Sequence, residues 1–369
     1  MSGGIDSSVS AKLLAAQDYD LSAVFMRNWD TRDEHADADA GCEWERDWAD
    51  VQRVCRAFGI PCQMIDLSKE YWNRVFEPAL RQWERGITPN PDVWCNREIK
   101  FGALLERLPD KGAWLATGHY ARKDWAAGRP RLLRAADGAK DQSYYLASIT
   151  EPGLARALFP IGALTKPAVR ALAAEAQGGA VPESVRARSE SMGLCFVGEK
   201  KRTDFKRFIA SYIPPAPGPV RMLATGATLM EHSGLWGYTI GEGLRLPGMP
   251  EKMYVVRKDI ARNTIFVGPA SEPALLCTRV RARTFDWVWA DRPPAGLEQG
   301  VELKVQVRHQ MRAVACTVRS EAGGVEVAFA EPLRGVAPGQ VAALWDGEWC
   351  LGCGVITTAE SAEGEPGSG

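Results

Sequence analysis

The chain has 369 residues, 46% of them apolar and 25% charged, with 45 Lys and Arg against 46 Asp and Glu and a net charge of −1. That length suggests two or three domains, and the composition excludes a chain disordered throughout. It also excludes binding of nucleic acid by bulk positive charge, although a local basic patch on a neutral protein stays open. No run of 18 apolar residues occurs, so neither a transmembrane helix nor a membrane partner is expected. Nine cysteines, odd in number and widely spread, argue against a secreted disulfide scaffold and for a reducing compartment. The one close pair, Cys350 and Cys353, has no second pair or neighbouring histidine. It reads as two small residues of a terminal strand rather than as a zinc site.

In chain order, Ile5, Val9 and Leu13 repeat every four residues and predict a helix. Leu21 to Met26 is a short apolar run and predicts a buried strand. Between 30 and 50 lie nine acidic and two basic residues, read as a solvated loop and helix start. Trp48, Val51, Cys55 and Phe58 mark a second helix, and Cys62 to Ile65 a second strand. Tyr71, Trp72, Val75, Phe76, Leu80 and Trp83 predict one amphipathic helix. Phe101, Leu104, Leu105 and Leu108 predict another, followed by a strand from Ala113 to Thr117. Strands separated by helices of this length mean βαβ units and a parallel sheet, with ligands at the C-terminal strand ends. Residues 121–134 read as a β excursion, 166–177 as helix and 178–191 as loop. Ile213 to Pro219 is rich in proline and reads as a linker. From 255 onward the pattern is all β: Val301, Leu303, Val305 and Val307 alternate with polar residues, and Val325, Val327 and Phe329 repeat this. Residues 359–369 are small, acidic and glycine-rich, the composition of a disordered tail.

The chemistry begins at Ser2-Gly3-Gly4-Ile5-Asp6-Ser7-Ser8. Adjacent glycines let backbone approach an anion, and Asp6, Ser7 and Ser8 are expected to cap the following helix, whose N–H groups favour phosphate. No Gly-Lys-Ser/Thr follows, so this is not a Walker A loop. The string S-G-G-x-D-S is the signature of the PP-loop ATP pyrophosphatases, which split ATP into AMP and pyrophosphate. A turn of this kind ordinarily follows a buried strand, and only Met1 precedes it. The expectation is a sheet without its central strand, and a chain that starts late as a shortened gene model or a fragment, its targeting segment upstream.

Thr88-Pro89-Asn90-Pro91-Asp92-Val93-Trp94-Cys95-Asn96 reads as a proline-fixed loop presenting Asp92 and Cys95 together, with Arg97 and Lys100 near enough to favour a thiolate. A second cysteine, Cys195, lies in Ser191 to Gly198 and is followed by Lys200, Lys201, Arg202, Lys206 and Arg207, an arrangement suited to a reactive sulfur beside a polyanion. Gly118-His119-Tyr120 closes the strand ending at Thr117. Lys140 to Leu146 is polar with interleaved aromatics, suited to a nucleotide.

Taken together these strings resemble the tRNA-specific 2-thiouridylases of the PP-loop superfamily, from Ser2 to about Ile356. The resemblance rests on SGGIDSS (2–8), FMRNW (25–29), TPNPDVWCN (88–96), ATGHYAR (116–122), KDQSYYL (140–146) and SMGLCFVGE (191–199). NWDTRDEH (28–35), ESMG (190–193) and RHQM (308–311) are more similar to mitochondrial members, which implies a mitochondrial location, with the cytoplasm as the other choice. The fold implied is an α/β PP-loop domain with a parallel sheet over 1–205, a small central β-rich domain over 206–266, a C-terminal β-barrel over 267–358 and a tail over 359–369.

The resemblance also implies roles. Ser2, Gly3, Gly4, Ile5, Asp6, Ser7, Ser8, Met26 and Gly118 bind ATP, and Mg²⁺ is expected from the chemistry, its ligands unassigned. The wobble uridine O2 attacks the α-phosphorus. Cys195 carries sulfur as a persulfide supplied by a donor protein. Cys95 either attacks the base or frees the sulfur through a transient disulfide with Cys195, and Asp92 serves as acid or base. Asn90, Pro91 and Asp92 lie against the target base. His119, Lys140, Asp141, Gln142, Arg308, His309 and Gln340 contact tRNA, helped by basic patches at Arg97/Lys100, Lys200–Arg207 and Arg308/Arg312. The chain departs from the family pattern at the start of the sheet, at Gly241-Glu242-Gly243 where an arginine is usual, and over 178–188. Two other readings stay open. A PP-loop enzyme that adenylates a small molecule needs neither Cys95 nor Cys195. A tRNA-binding member that lost catalysis with the first strand needs no ATP turnover.

Overall fold

The computed structural model describes residues 1–29, 43–176, 178–188 and 202–361. The acidic stretch 30–42, the Cys195 segment 189–201 and residues 362–369 lie outside them. In chain order the elements are α1 (Ile5–Ala15), β1 (Ala23–Arg27), α2 (Glu43–Phe58), β2 (Cys62–Asp66), α3 (Ser68–Tyr71), α4 (Glu77–Glu84), α5 (Pro91–Trp94), α6 (Leu104–Arg107), β3 (Leu115–Ala116), β4 (Arg122–Ala126), β5 (Arg129–Leu133), α7 (Glu151–Ala155), β6 (Ala157–Leu158), α8 (Lys166–Ala174), α9 (Glu183–Arg186) and α10 (Arg202–Ala210). Strands then dominate: β7 (Gly218–Met222), β8 (Thr228–His232), β9 (Gly243–Leu244), β10 (Met253–Asp259), β11 (Thr264–Gly268), β12 (Leu276–Ala282), β13 (Asp286–Trp287), β14 (Val301–Gln306), β15 (Val314–Glu321), β16 (Gly324–Arg334), β17 (Val341–Asp346), β18 (Trp349–Val355) and β19 (Thr358–Ser361). The chain divides into two compact units. One holds Met1–Phe76, Asp92–Lys200 and Glu348–Cys350, the other Glu77–Pro91, Lys201–Gly347 and Leu351–Gly369.

The first unit is α/β. β1 and β2 pair in parallel, Ala23 opposite Cys62 through Arg27 opposite Asp66. Parallel neighbours need a crossover, and α2 supplies it, burying Val51 and Cys55 against Ala23 and Phe25. β3 and β6 form a second parallel ladder. The predicted parallel sheet is thus present as two ladders, and the Met1 amino group donates to Val24 O beside β1. A second core joins Val9 of α1, Val54 of α2, Tyr120, Ile161 and Val169 and Ala173 of α8. It holds α1 against α8, so the two helix starts meet. The excursion at 121–134 is the antiparallel hairpin β4–β5, extended by Trp349 and Cys350 opposite Leu133 and Leu132.

Four expectations are corrected. The predicted helix at 71–83 is not one regular helix, because 72–76 adopts a π turn. The strand expected at 113–117 pairs only over 115–116. The loop expected at 178–191 contains α9, whose Val185 is fully buried. The tail expected from 359 begins with β19, which pairs with β12.

The second unit is mostly β. Five strands run in the order β8-β7-β11-β10-β9 around Val220, Met253, Val255, Ile265 and Val267. A larger antiparallel sheet follows, with β14 opposite β15 from Val301/Val318 to Val305/Val314. The period-two pattern of β14 read from the sequence matches this ladder, and Val305 is fully buried. Cys350 and Cys353 are both buried in β18, as expected of small strand residues.

Candidate active site

The glycine turn opens α1. Gly3 takes a φ of +75°, and a Cβ there would sit 2.9 Å from Asp47 O. The N-cap is Gly4, with no side-chain cap. This corrects the expectation that Asp6, Ser7 and Ser8 cap the helix. Side chains on a helix lean toward its N-terminus, so Ser7 and Ser8 donate back to Gly4 O, at 3.0 and 2.9 Å. The first-turn N–H groups are therefore left to an anion. Gly118 lies against the same turn. A Cβ on it would stand 2.7 Å from Ser7 N and 2.8 Å from Asp6 C. Only glycine allows strand end and helix start this close, and the cradle fits a polyphosphate. Met26 lies in β1 opposite Ile65.

Asp6 is held from two sides. Lys166 Nζ donates to both its carboxylate oxygens, at 2.8 and 2.9 Å, and Tyr120 Oη donates to Oδ1 at 2.9 Å. Among the described residues no group of three His, Cys, Asp or Glu side chains is placed to hold a metal. Asp6 is engaged with Lys166 and Tyr120 and has no such partners around it among the described residues.

The Asp92–Cys95 string is helical rather than a loop. Pro91 starts α5, a position where its missing N–H costs nothing. Cys95 begins a π-helical segment that runs to Ala103, and its side chain is buried. Three residues apart on helical backbone, Asp92 and Cys95 share a face. Asn96 Nδ2 donates to Asp92 O at 3.1 Å and to Tyr145 O at 3.0 Å, tying this segment to the 140–146 string. Burial pushes the Asp92 carboxyl up to about 6, against a downward pull from Lys100. Burial, with Asp92 nearby, likewise raises Tyr145.

Lys100 then reaches the other strand end. Its Nζ is 3.3 Å from His119 Nε2, and His119 Nδ1 is 2.9 Å from Thr117 Oγ1. An ammonium only donates, so Nε2 accepts and Nδ1 carries the proton. Burial and Lys100 hold His119 well below the usual histidine range, so it is neutral.

The remaining predicted contacts fall in several places. Asp141 faces inward, its Oδ1 accepting from Ala135 N at 3.0 Å and Ser143 Oγ at 2.6 Å, its Oδ2 paired with Arg134 at 2.9 Å. Gln142 Oε1 accepts from Tyr120 N at 3.0 Å. Both residues shape the loop beside Gly118 and His119. Lys140 is partly buried next to them. In the second unit, Arg308 and Arg312 are exposed and His309 partly buried, in the turn between β14 and β15. Asn90 and Pro91 are buried. Gln340 Nε2 donates to Thr88 O at 2.9 Å and Pro89 O at 3.3 Å, gripping the backbone just before Asn90. Cys195, Lys200 and Lys201 lie outside the described residues. Sequence reasoning missed Lys166 and Tyr120 at Asp6, and Asn96 and Tyr145 beside Asp92. Asn96 and Tyr145 sit inside recognised strings, whereas Lys166 carries no local signal.

Three family models match in series. The tRNA methyl transferase HUP domain covers 1–199, the tRNA methyl transferase PRC-barrel domain 206–269 and the aminomethyltransferase beta-barrel domain 278–356. Fold and glycine turn thus define a HUP-domain protein that carries two β-barrel modules. Relatives narrow this class. The tRNA-specific 2-thiouridylase MnmA of Shewanella amazonensis is 41% identical over 368 residues, 97% of this chain and 93% of the relative. That of Bacillus subtilis is 41% identical over 360 residues, 96% and 93%. That of Pseudomonas aeruginosa is 42% identical over 369 residues, 98% and 94%. The chain belongs to the tRNA-specific 2-thiouridylase family.

Proposed function

We propose that this protein uses ATP to adenylate O2 of a wobble uridine in tRNA and replaces it with sulfur, giving 2-thiouridine, AMP and pyrophosphate. The observation that carries the reading is one run of neighbouring groups within the first unit. Gly118 abuts the α1 start, His119 next to it meets Lys100, and Lys100 lies beside Asp92, on the helical face it shares with Cys95. A phosphate cradle is thereby linked to a carboxyl and a thiol. A methyl transfer, named in two of the family descriptions, gives no reason for that combination.

A urea-like carbonyl oxygen leaves poorly, whereas the same oxygen leaves well within AMP. The glycine turn and the open α1 terminus hold the phosphates. Mg²⁺ would accompany ATP as its counter-ion, offsetting the charge of the phosphates. A carboxyl near 6 exchanges protons readily at neutral pH, which suits Asp92 to general acid or base work. Cys195 carries the sulfur as a persulfide from a donor protein. Cys95 either adds to C2 of the adenylated base, displacing AMP, and is then displaced by the outer sulfur of the persulfide before it attacks Cys195 Sγ, or it attacks Cys195 Sγ at once, releasing sulfide that displaces AMP at C2. Both courses end in a Cys95–Cys195 disulfide that a thiol reductant reopens. Arg308 and Arg312 offer exposed charge for tRNA phosphates, so binding falls steeply with salt. The mitochondrial placement rests on the three strings at 28–35, 190–193 and 308–311.

The test is mass spectrometry of tRNA nucleosides from cells with and without the gene. Loss of 2-thiouridine, restored by wild type but not by Cys195→Ser, is expected. Unchanged 2-thiouridine contradicts the reading. Pyrophosphate release that needs no RNA favours the small-molecule alternative instead.

A further inference from the structure

The glycine turn lacks the lysine that phosphate loops of the Walker type carry. The fold supplies one from far along the chain. Lys166 is the first residue of α8, placed there by two caps: Thr165 accepts from Ala168 N, and Lys166 N donates to Asp137 Oδ2 at 2.9 Å. Its side chain is buried at 9% exposure, and its Nζ lies 2.8 Å from Asp6 Oδ1. Asp6 is the second residue of α1, beside the N–H groups that face the cradle. A carboxylate at that place repels a polyphosphate unless a cation stands with it. Tyr120 Oη on the same carboxylate fixes the geometry, with Lys166 Nζ 5.7 Å from the Tyr120 ring centre.

We propose that Lys166 is a binding residue of the nucleotide site, its ammonium contacting the phosphates of ATP at the α1 terminus. The inference rests on the ATP reading given above and names a residue that reading does not use. Asp6 parks and aims the ammonium. The core that packs α1 on α8 sets the distance.

Equilibrium binding of Mg·ATP to the full chain, by calorimetry, tests it with wild type, Lys166→Arg, Lys166→Gln and the double variant Asp6→Asn/Lys166→Gln. Thermal melting checks that each is folded. Lys166→Gln is expected to weaken ATP binding by about tenfold to a hundredfold, the range for a charge-assisted hydrogen bond, with Lys166→Arg retaining most of it. The double variant, which removes both charges together, is expected to stay weak. Wild-type affinity in the double variant means that Lys166 only balances Asp6, and overturns the assignment. So does unchanged affinity in Lys166→Gln. If wild type itself binds no ATP, the nucleotide reading falls first and the assignment with it.

Discussion

Lys100 Nζ lies 3.3 Å from His119 Nε2, joining the segment that bears Asp92 and Cys95 to the strand end that carries Gly118. Burial, reinforced by this relationship, keeps His119 neutral. An NMR titration of the His119 ring is expected to give a midpoint well below the ordinary histidine range, because burial and Lys100 both disfavour the charged ring. In Lys100→Met the midpoint rises toward the ordinary value near 6.5, because one of the two causes of the depression is gone. A wild-type midpoint at 6.5 contradicts the arrangement.

Asp92 gives a pH-dependent stability. Its folded pKa, about 6, lies above the ordinary aspartate value of 3.8. The native state therefore binds more protons between those values, and stability falls as pH rises from about 4 to 6. Above 6 the cost is complete, on the order of 2–3 kcal/mol. Asp92→Asn is expected to raise the denaturation midpoint at pH 7, and the gain is expected to shrink toward pH 4. Wild-type activity is expected to show a limb near pH 6, and the same variant is expected to lack it. An equal gain at both pH values counts against a raised carboxyl.

Gly118 tests the cradle by sterics. A methyl at this position meets Ser7 N and Asp6 C below 3.0 Å, so strand end and helix start must part. Gly118→Ala is expected to weaken ATP binding about tenfold or more while the chain stays folded. Unchanged binding means the two elements do not frame the phosphate site.

Gln340 separates two roles. Resemblance implies a tRNA contact, yet its carboxamide bridges Thr88 O and Pro89 O within the second unit. Lys258 Nζ grips the same segment at Gly86 O, at 2.7 Å. Gln340→Ala is expected to cost about 1–2 kcal/mol of stability by leaving two carbonyls without their donor. It should lower thiolation more than tRNA affinity. Lost tRNA affinity at unchanged stability points to direct contact instead.

The legible parts of the fold were those with a clean local period. Ile5, Val9 and Leu13 gave α1, and the alternation from Val301 to Val307 gave β14. The helical start at Pro91 was obscured, because two prolines and an asparagine read as a rigid loop, and the π-helical 95–103 has no 3.6-residue signature. α9 was missed because glycines and a proline crowd 178–182. At the site, strings close in sequence were readable, since Ser2 to Ser8 and Asp92 to Cys95 each lie on one turn. Lys166 was not, because its place at Asp6 depends on helix pairing across 160 residues. The serines were seen but given the wrong direction: they bond backward to Gly4 O and leave the helix terminus open.

The most direct measurement is a reconstituted reaction with tRNA bearing an unmodified wobble uridine, ATP, Mg²⁺ and a persulfide donor, read by nucleoside mass spectrometry and AMP release. Wild type is expected to form 2-thiouridine and AMP in equal amounts, while Cys95→Ser and Cys195→Ser bind tRNA but form no 2-thiouridine. Normal 2-thiouridine formation by either cysteine variant would contradict the account.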